Sequence, residues 1–246
     1  MTDTADKFES SACSNPLAQI RALHPRVHCI VNEAAVSLTA NVLLACGASP
    51  CMTHDPHEVA QFTNSSDALS INLGMLTQSK CRAIMIASDT ASDKQIPWVL
   101  DPTLCDRSQS RLDFCTGLIK NRPSALRGNS AEIDSICRSM DLTREELARE
   151  HSIVVMTTGE FDHVISDNRT REITSGHPWM ESVTGLGCAF SALLAASLTV
   201  RQDPFDAAVE IAQTYGSIGQ TAAQVSHGPG TYAGNFLDCI HAESIR

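Results

Sequence analysis

Val27-His-Cys-Ile-Val31 is an apolar run rich in β-branched residues. Ala35 to Cys46 follows it, with Leu38, Val42 and Leu43 on one helical face and Gly47 as the stop. The period changes from that of a strand to that of a helix within four residues, so the stretch reads as a β–α unit. The same alternation recurs downstream. Strands are expected at Leu69–Leu73, Pro97–Asp101, Ser124–Arg127 and Ile153–Met156, and helices at 77–89 and 108–120. Strands that alternate with helices predict an α/β fold with a mostly parallel sheet covered on both faces.

Two extended pieces, around His163–Ile165 and Arg171–Thr174, have no room for a helix between them. They are expected to be antiparallel at one sheet edge. The last third reads as helix: 187–200, 204–225 and 230–242. Residues 1–14 read as a disordered tail and 15–246 as one domain.

The chain has 246 residues, 43% of them hydrophobic, enough for one large core. Its formal charge is −10, from 28 acidic and 18 basic residues. That balance argues against a nucleic-acid partner. The ten cysteines include no C-x-x-C pair, which argues against a zinc site. The opening MTDTADKFESSACS has no apolar stretch, and no apolar run is long enough for a membrane span. No membrane partner is therefore expected, and the cytosol follows as the default compartment.

In an open α/β sheet, ligands collect at the carboxyl ends of the strands. The groups falling there are Asn32, Asn72-Leu-Gly74, Asp101-Pro102, Arg127-Gly-Asn129 and Thr158-Gly-Glu160, with Val183-Thr-Gly-Leu-Gly-Cys188 later in the chain. In the last of these, two glycines open an apolar helix. Such a turn leaves N–H groups free at the positive end of the helix dipole, an anion hole suited to phosphate. It is not a Walker A loop, because no Gly-Lys-Ser/Thr follows. A helix start that needs glycine for close packing is the competing reading.

Cys188 falls in the first turn of that helix, where the dipole favours thiolate. It is either a reactive group beside a substrate hydroxyl or one more small buried cysteine. Arg127 offers a fork of donors for phosphate oxygens. Asn129 and Glu132 have capping-box spacing. Glu132 is thus a cap or, through water, a ligand for Mg²⁺, with Asp101 as a second acid. Met52 alone would read as a core filler.

Together these motifs resemble the hydroxyethylthiazole kinase family. The resemblance is carried by Val27-His-Cys-Ile-Val-Asn32, Leu38-Thr-Ala-Asn41, Gly47-Ala-Ser-Pro-Cys-Met52, Leu69-Ser-Ile-Asn-Leu-Gly74, Val99-Leu-Asp-Pro102, Leu126-Arg-Gly-Asn129 with Glu132, Thr158-Gly-Glu160 with Asp162, and Val183-Thr-Gly-Leu-Gly-Cys188, with Gly228-Pro-Gly230 further on. It implies a ribokinase-like fold and a homotrimer with active sites at subunit interfaces. It also implies ATP with Mg²⁺, and a thiazole alcohol as phosphoryl acceptor. By the same resemblance Met52, Gly185 and Asn32 bind the thiazole, Arg127 and Thr158 bind ATP, and Asp101 and Glu132 lie by the metal. Cys188 stands where ribokinase relatives carry a catalytic Asp.

The chain departs from the family pattern after Asp101-Pro102. There Thr-Leu-Cys-Asp-Arg-Ser108 replaces a loop of small residues. An inward Asp106 would repel phosphates, so it is expected to face solvent or pair with a neighbouring arginine. The competing functions are kinase action on another small vitamin-precursor alcohol and a weakly active paralogue that binds a thiazole or nucleotide.

Overall fold

The computed structural model describes residues 15–246, so the tail expected over 1–14 lies outside the described residues. Helix α1 (Pro16–Leu23) leads into β1 (Arg26–Ile30) and α2 (Val36–Ala45). Next come β2 (Ser49–Cys51), α3 (Val59–Asn64), β3 (Ala68–Asn72), α4 (Gln78–Lys94) and β4 (Trp98–Asp101). Then follow α5 (Gln109–Ile119), β5 (Ala125–Asn129), α6 (Ser130–Met140), α7 (Arg144–His151) and β6 (Val154–Thr158). The chain ends with β7 (Asp162–Ile165), β8 (Thr170–Ile173), α8 (Leu186–Ser197), α9 (Pro204–Gln224) and α10 (Pro229–Ser244).

All eight strands join one sheet in the order β2-β1-β3-β4-β5-β6-β7-β8. Strands β1 to β6 run parallel, and β7 and β8 are antiparallel additions at the edge, as their spacing predicts. The strands alternate between two cores. Val27 and Cys29 of β1, Val99 of β4 and Ala125 of β5 enter the core shared with α2, α8, α9 and α10. Ile30, Leu100, Leu126 and Val155 enter the opposite core, under α4 to α7. Burying each such side chain contributes about 1.5–3 kcal/mol, so both faces of the sheet have to be covered.

The caps fix where helices begin beside the strand ends. Thr77 accepts the Lys80 N–H and starts α4, which then runs to Lys94, beyond the 77–89 expected. Asn129 and Glu132 form the capping box that their spacing predicts, and it starts α6 directly at the end of β5. Three short helices, α1, α3 and α7, and the three-residue edge strand β2 were not expected from the sequence. Each is too short to show a clear period.

Candidate active site

The carboxyl ends of β1, β3, β4, β5 and β6 meet the start of α8, and a hydrogen-bonded network joins them. Its centre is Cys188. The side-chain amide of Asn32 donates to Cys188 Sγ (3.2 Å) and to Asn72 Oδ1 (3.1 Å). The amide of Asn72 donates to the same sulfur (3.3 Å) and to Thr103 Oγ1 (2.5 Å). The Thr103 hydroxyl donates in turn to Asp101 Oδ1 (2.6 Å). The other oxygen of Asp101 accepts from Ser191, one turn beyond Cys188 on α8 (2.9 Å). Arg127 Nη1 lies 3.8 Å from it.

Cys188 differs from expectation. Its thiol is pushed up to about 11, first by burial and then by the charge of Asp101. The two amides and Arg127 pull the other way but do not offset this. The helix start was expected to favour thiolate, but a dipole at one turn's end is worth less than desolvation of the sulfur. At neutral pH Cys188 is a thiol.

Gly185 holds the N-cap of α8 at φ +93°. A Cβ there would lie 3.2 Å from Ala35 Cα, so the turn packs on the start of α2. Gly187 brings α8 against Arg127, because its own Cβ would sit 3.0 Å from Nη1. No side chain caps α8, and among the described residues the N–H groups of Gly187 and Cys188 have no acceptor. The turn therefore offers free donors with an arginine beside them. Arg127 Nη2 donates to Thr158 Oγ1 (2.9 Å), and its guanidinium lies 5.5 Å from the centre of the Phe190 ring. Packing against that ring limits the side chain's freedom.

Glu132 has structural tasks at both oxygens. Oε1 accepts from the Leu104 N–H (2.7 Å) and Oε2 from the Asn129 N–H (2.8 Å). It ties the loop after β4 to the start of α6. Burial raises its pKa, with the charge of Asp101 adding to the shift. No cluster of three or more His, Cys, Asp or Glu side chains able to hold a metal occurs among the described residues.

Of the residues expected at the site, Asn32, Asp101, Arg127, Thr158, Glu132 and Cys188 share this junction, and Gly185 forms the turn above it. Met52 stands outside the polar network. It follows edge strand β2 and packs half-buried against the α2–α8 core. The sequence reading placed Asn72 at a strand end without a role, and gave none to Thr103, Ser191 or Lys80. Only Ser191 carried a signal, by lying three residues after Cys188 on the same helix face. In the loop after β4, Leu104 is 51% exposed. Asp106 pairs with Arg107 at 2.9 Å, as its charge required.

This topology defines the ribokinase-like class. A ribokinase-like superfamily protein from Enterococcus faecalis V583 superposes with a TM-score of 0.70 over 95% of this chain and 96% of its own, at 11% identity, a likeness of fold alone. Within that class, the chain belongs to the hydroxyethylthiazole kinase family, whose model matches residues 17–244. Hydroxyethylthiazole kinase from Salmonella schwarzengrund is 37% identical over 93% of this chain and 92% of its own length. The structure of the hydroxyethylthiazole kinase protein from Pyrococcus horikoshii OT3 has a TM-score of 0.88 at 30% identity, covering 94% of this chain and 92% of its own.

Proposed function

We propose that this enzyme moves the γ-phosphoryl group of ATP to the hydroxyethyl oxygen of 4-methyl-5-(2-hydroxyethyl)thiazole. The observation that carries the reading is the uncapped glycine turn of α8, with Arg127 against Gly187 and the Asn32–Asn72–Cys188 cluster beside it. The alcohol oxygen attacks the γ-phosphorus as the bond from phosphorus to the β,γ-bridging oxygen breaks; ADP leaves, and the alcohol proton passes to a transferred phosphoryl oxygen and on to water. Such a transition state is loose, and its catalysis is mostly positioning and charge stabilisation.

In this reading the N–H groups of Gly187 and Cys188 receive the phosphoryl oxygens, and Arg127 with Thr158 binds the polyphosphate. Asn32, Met52 and Gly185 shape the thiazole side. Cys188 faces the attacking hydroxyl as a thiol, which serves because a loose transition state asks little of a base. Kinases of ATP use a divalent cation. Asp101 and Glu132 would hold Mg²⁺ through its water shell, and the ion would neutralise polyphosphate charge.

We also assign a homotrimer, supported by the position of Met52 beside the edge strand β2, where a second subunit can complete the pocket. Light scattering should then give the mass of three 26.5 kDa chains. A cytosolic setting agrees with the nine free cysteines of the described residues. No helix among those residues is long and apolar enough to cross a membrane. The deciding experiment is ADP release with Mg²⁺-ATP and a panel of small vitamin-precursor alcohols. The thiazole alcohol should give the highest kcat/KM. A pyrimidine alcohol preferred over it would overturn the assignment.

A further inference from the structure

Lys80 is a buried cation that the transfer scheme does not use. It lies in the first turn of α4, only 4% exposed. Its Nζ donates to the carbonyl of Val31 (2.9 Å) and to that of Gly74 (2.7 Å). No ion pair between Lys80 and a carboxylate occurs among the described residues. Burial is the main cause that lowers its pKa, and Arg111 adds to it, while the charge of Glu33 favours the ammonium. An ammonium taken out of water at such a cost needs acceptors held in place.

The two acceptors explain the location. Val31 directly precedes Asn32, and the Gly74 N–H donates to Asn72 Oδ1 (2.9 Å). Lys80 thus grips the two segments whose side-chain amides meet on Cys188. Between parallel neighbours β1 and β3 the ladder pairs Ile30 with Ile71 and goes no further. Beyond it no backbone bond joins Val31 or Asn32 to Leu73 or Gly74 among the described residues, and Lys80 supplies a link beside the Asn32–Asn72 side-chain bond.

We propose that Lys80 is a positioning residue for the acceptor pocket: by clamping the Val31 and Gly74 carbonyls it holds the ends of β1 and β3 so that Asn32 and Asn72 converge on Cys188 Sγ. The inference rests on the phosphotransfer reading only for which ligand feels the change. Lys80→Met keeps the stem and removes the donors, while Lys80→Gln keeps a shorter neutral donor.

In Lys80→Met, binding of the thiazole alcohol by calorimetry should weaken about tenfold, while Mg²⁺-ATP stays within about twofold of the parent. Lys80→Gln should fall between parent and Met. The side-chain amide resonances of Asn32 and Asn72 should shift in both variants. Those of Asn15 and Asn121, whose amides bond elsewhere, should stay in place. That NMR readout needs no substrate, so a parent enzyme that fails to bind the thiazole alcohol would sink the functional reading and leave this one decided. Unmoved Asn32 and Asn72 resonances, equal weakening of both ligands, or failure of both variants to fold would each overturn the positioning role.

Discussion

The turn that opens α8 and the loop that follows β4 meet at the same Cys188–Asp101 cluster, yet they are built by opposite means. The α8 turn is backbone. Gly185 takes a positive φ, Gly187 clears Arg127, and among the described residues the N–H groups of Gly187 and Cys188 have neither a backbone acceptor nor a side-chain cap. The β4 loop is held by side chains. Thr103 links Asp101 to Asn72, Glu132 takes the Leu104 N–H, and Arg111 donates to the Thr103 carbonyl at 2.8 Å. A backbone wall tolerates few residues at its glycines and almost any ligand-side chemistry. In this side-chain wall the foreign residues are placed apart from the network: Leu104 and Arg107 are exposed, and Asp106 is held by its pair with Arg107.

The largest expected effect tests the backbone wall through its one long side chain. Arg127→Ala removes the guanidinium that lies against Gly187, Asp101 and Thr158. Losing a charge-assisted bond costs about 1.5–3 kcal/mol, so KM for ATP should rise about 10- to 100-fold. KM for the thiazole alcohol should hold within about twofold. Circular dichroism should match the parent. An unchanged KM for ATP would remove Arg127 from the phosphate site and reduce the turn to a packing device.

The next effect is read where the two walls meet. With its thiol at about 11, Cys188 is almost entirely protonated at pH 8. Iodoacetamide should label it about one to two orders of magnitude more slowly than an ordinary cysteine. The rate should rise with each pH unit until the thiol titrates, as followed by mass spectrometry. Since the thiol is no ready base, Cys188→Ala should lower kcat to an extent near the low end of general-base effects, about 10²-fold or less. Cys188→Asp should retain or raise kcat. Rapid labelling at pH 7 would restore the thiolate, and full activity in Cys188→Ala would leave a cysteine that only packs.

The contrast between the walls also decides what the sequence disclosed. The α8 turn was legible only as a choice, because two glycines at the mouth of an apolar helix mark either uncapped N–H groups or close packing, and the structure has both. The capping box at Asn129 and Glu132 was legible for the same local reason. The side-chain wall was not. Thr103, Ser191 and Lys80 lie on three different elements and acquire meaning only when parallel pairing brings Asn72 level with Asp101. The thiolate expected at Cys188 failed because sequence displays the helix start, a local feature, and conceals burial by residues far along the chain.

The smallest effect bears on the side-chain wall and concerns Leu104. Its backbone is left-handed, with φ 58° and ψ 28°, and its side chain is half exposed. That conformation costs a residue with a Cβ about 1–2 kcal/mol. Glycine removes this strain but surrenders about 0.5–1 kcal/mol of unfolded-state entropy. Leu104→Gly should therefore stabilise the fold by up to about 1 kcal/mol, a rise in Tm of about 1–4 °C for a chain of this size. The bond from the residue 104 N–H to Glu132 is a backbone bond and survives the change, so Thr103 and Asp101 keep their places. Kinetic constants for both substrates should stay within about twofold. Differential scanning fluorimetry and steady-state assays check both halves. A lower Tm would mean that the leucine packs on something in the assembled enzyme, and a shift in the thiazole KM would mean that the side-chain wall reaches the acceptor after all.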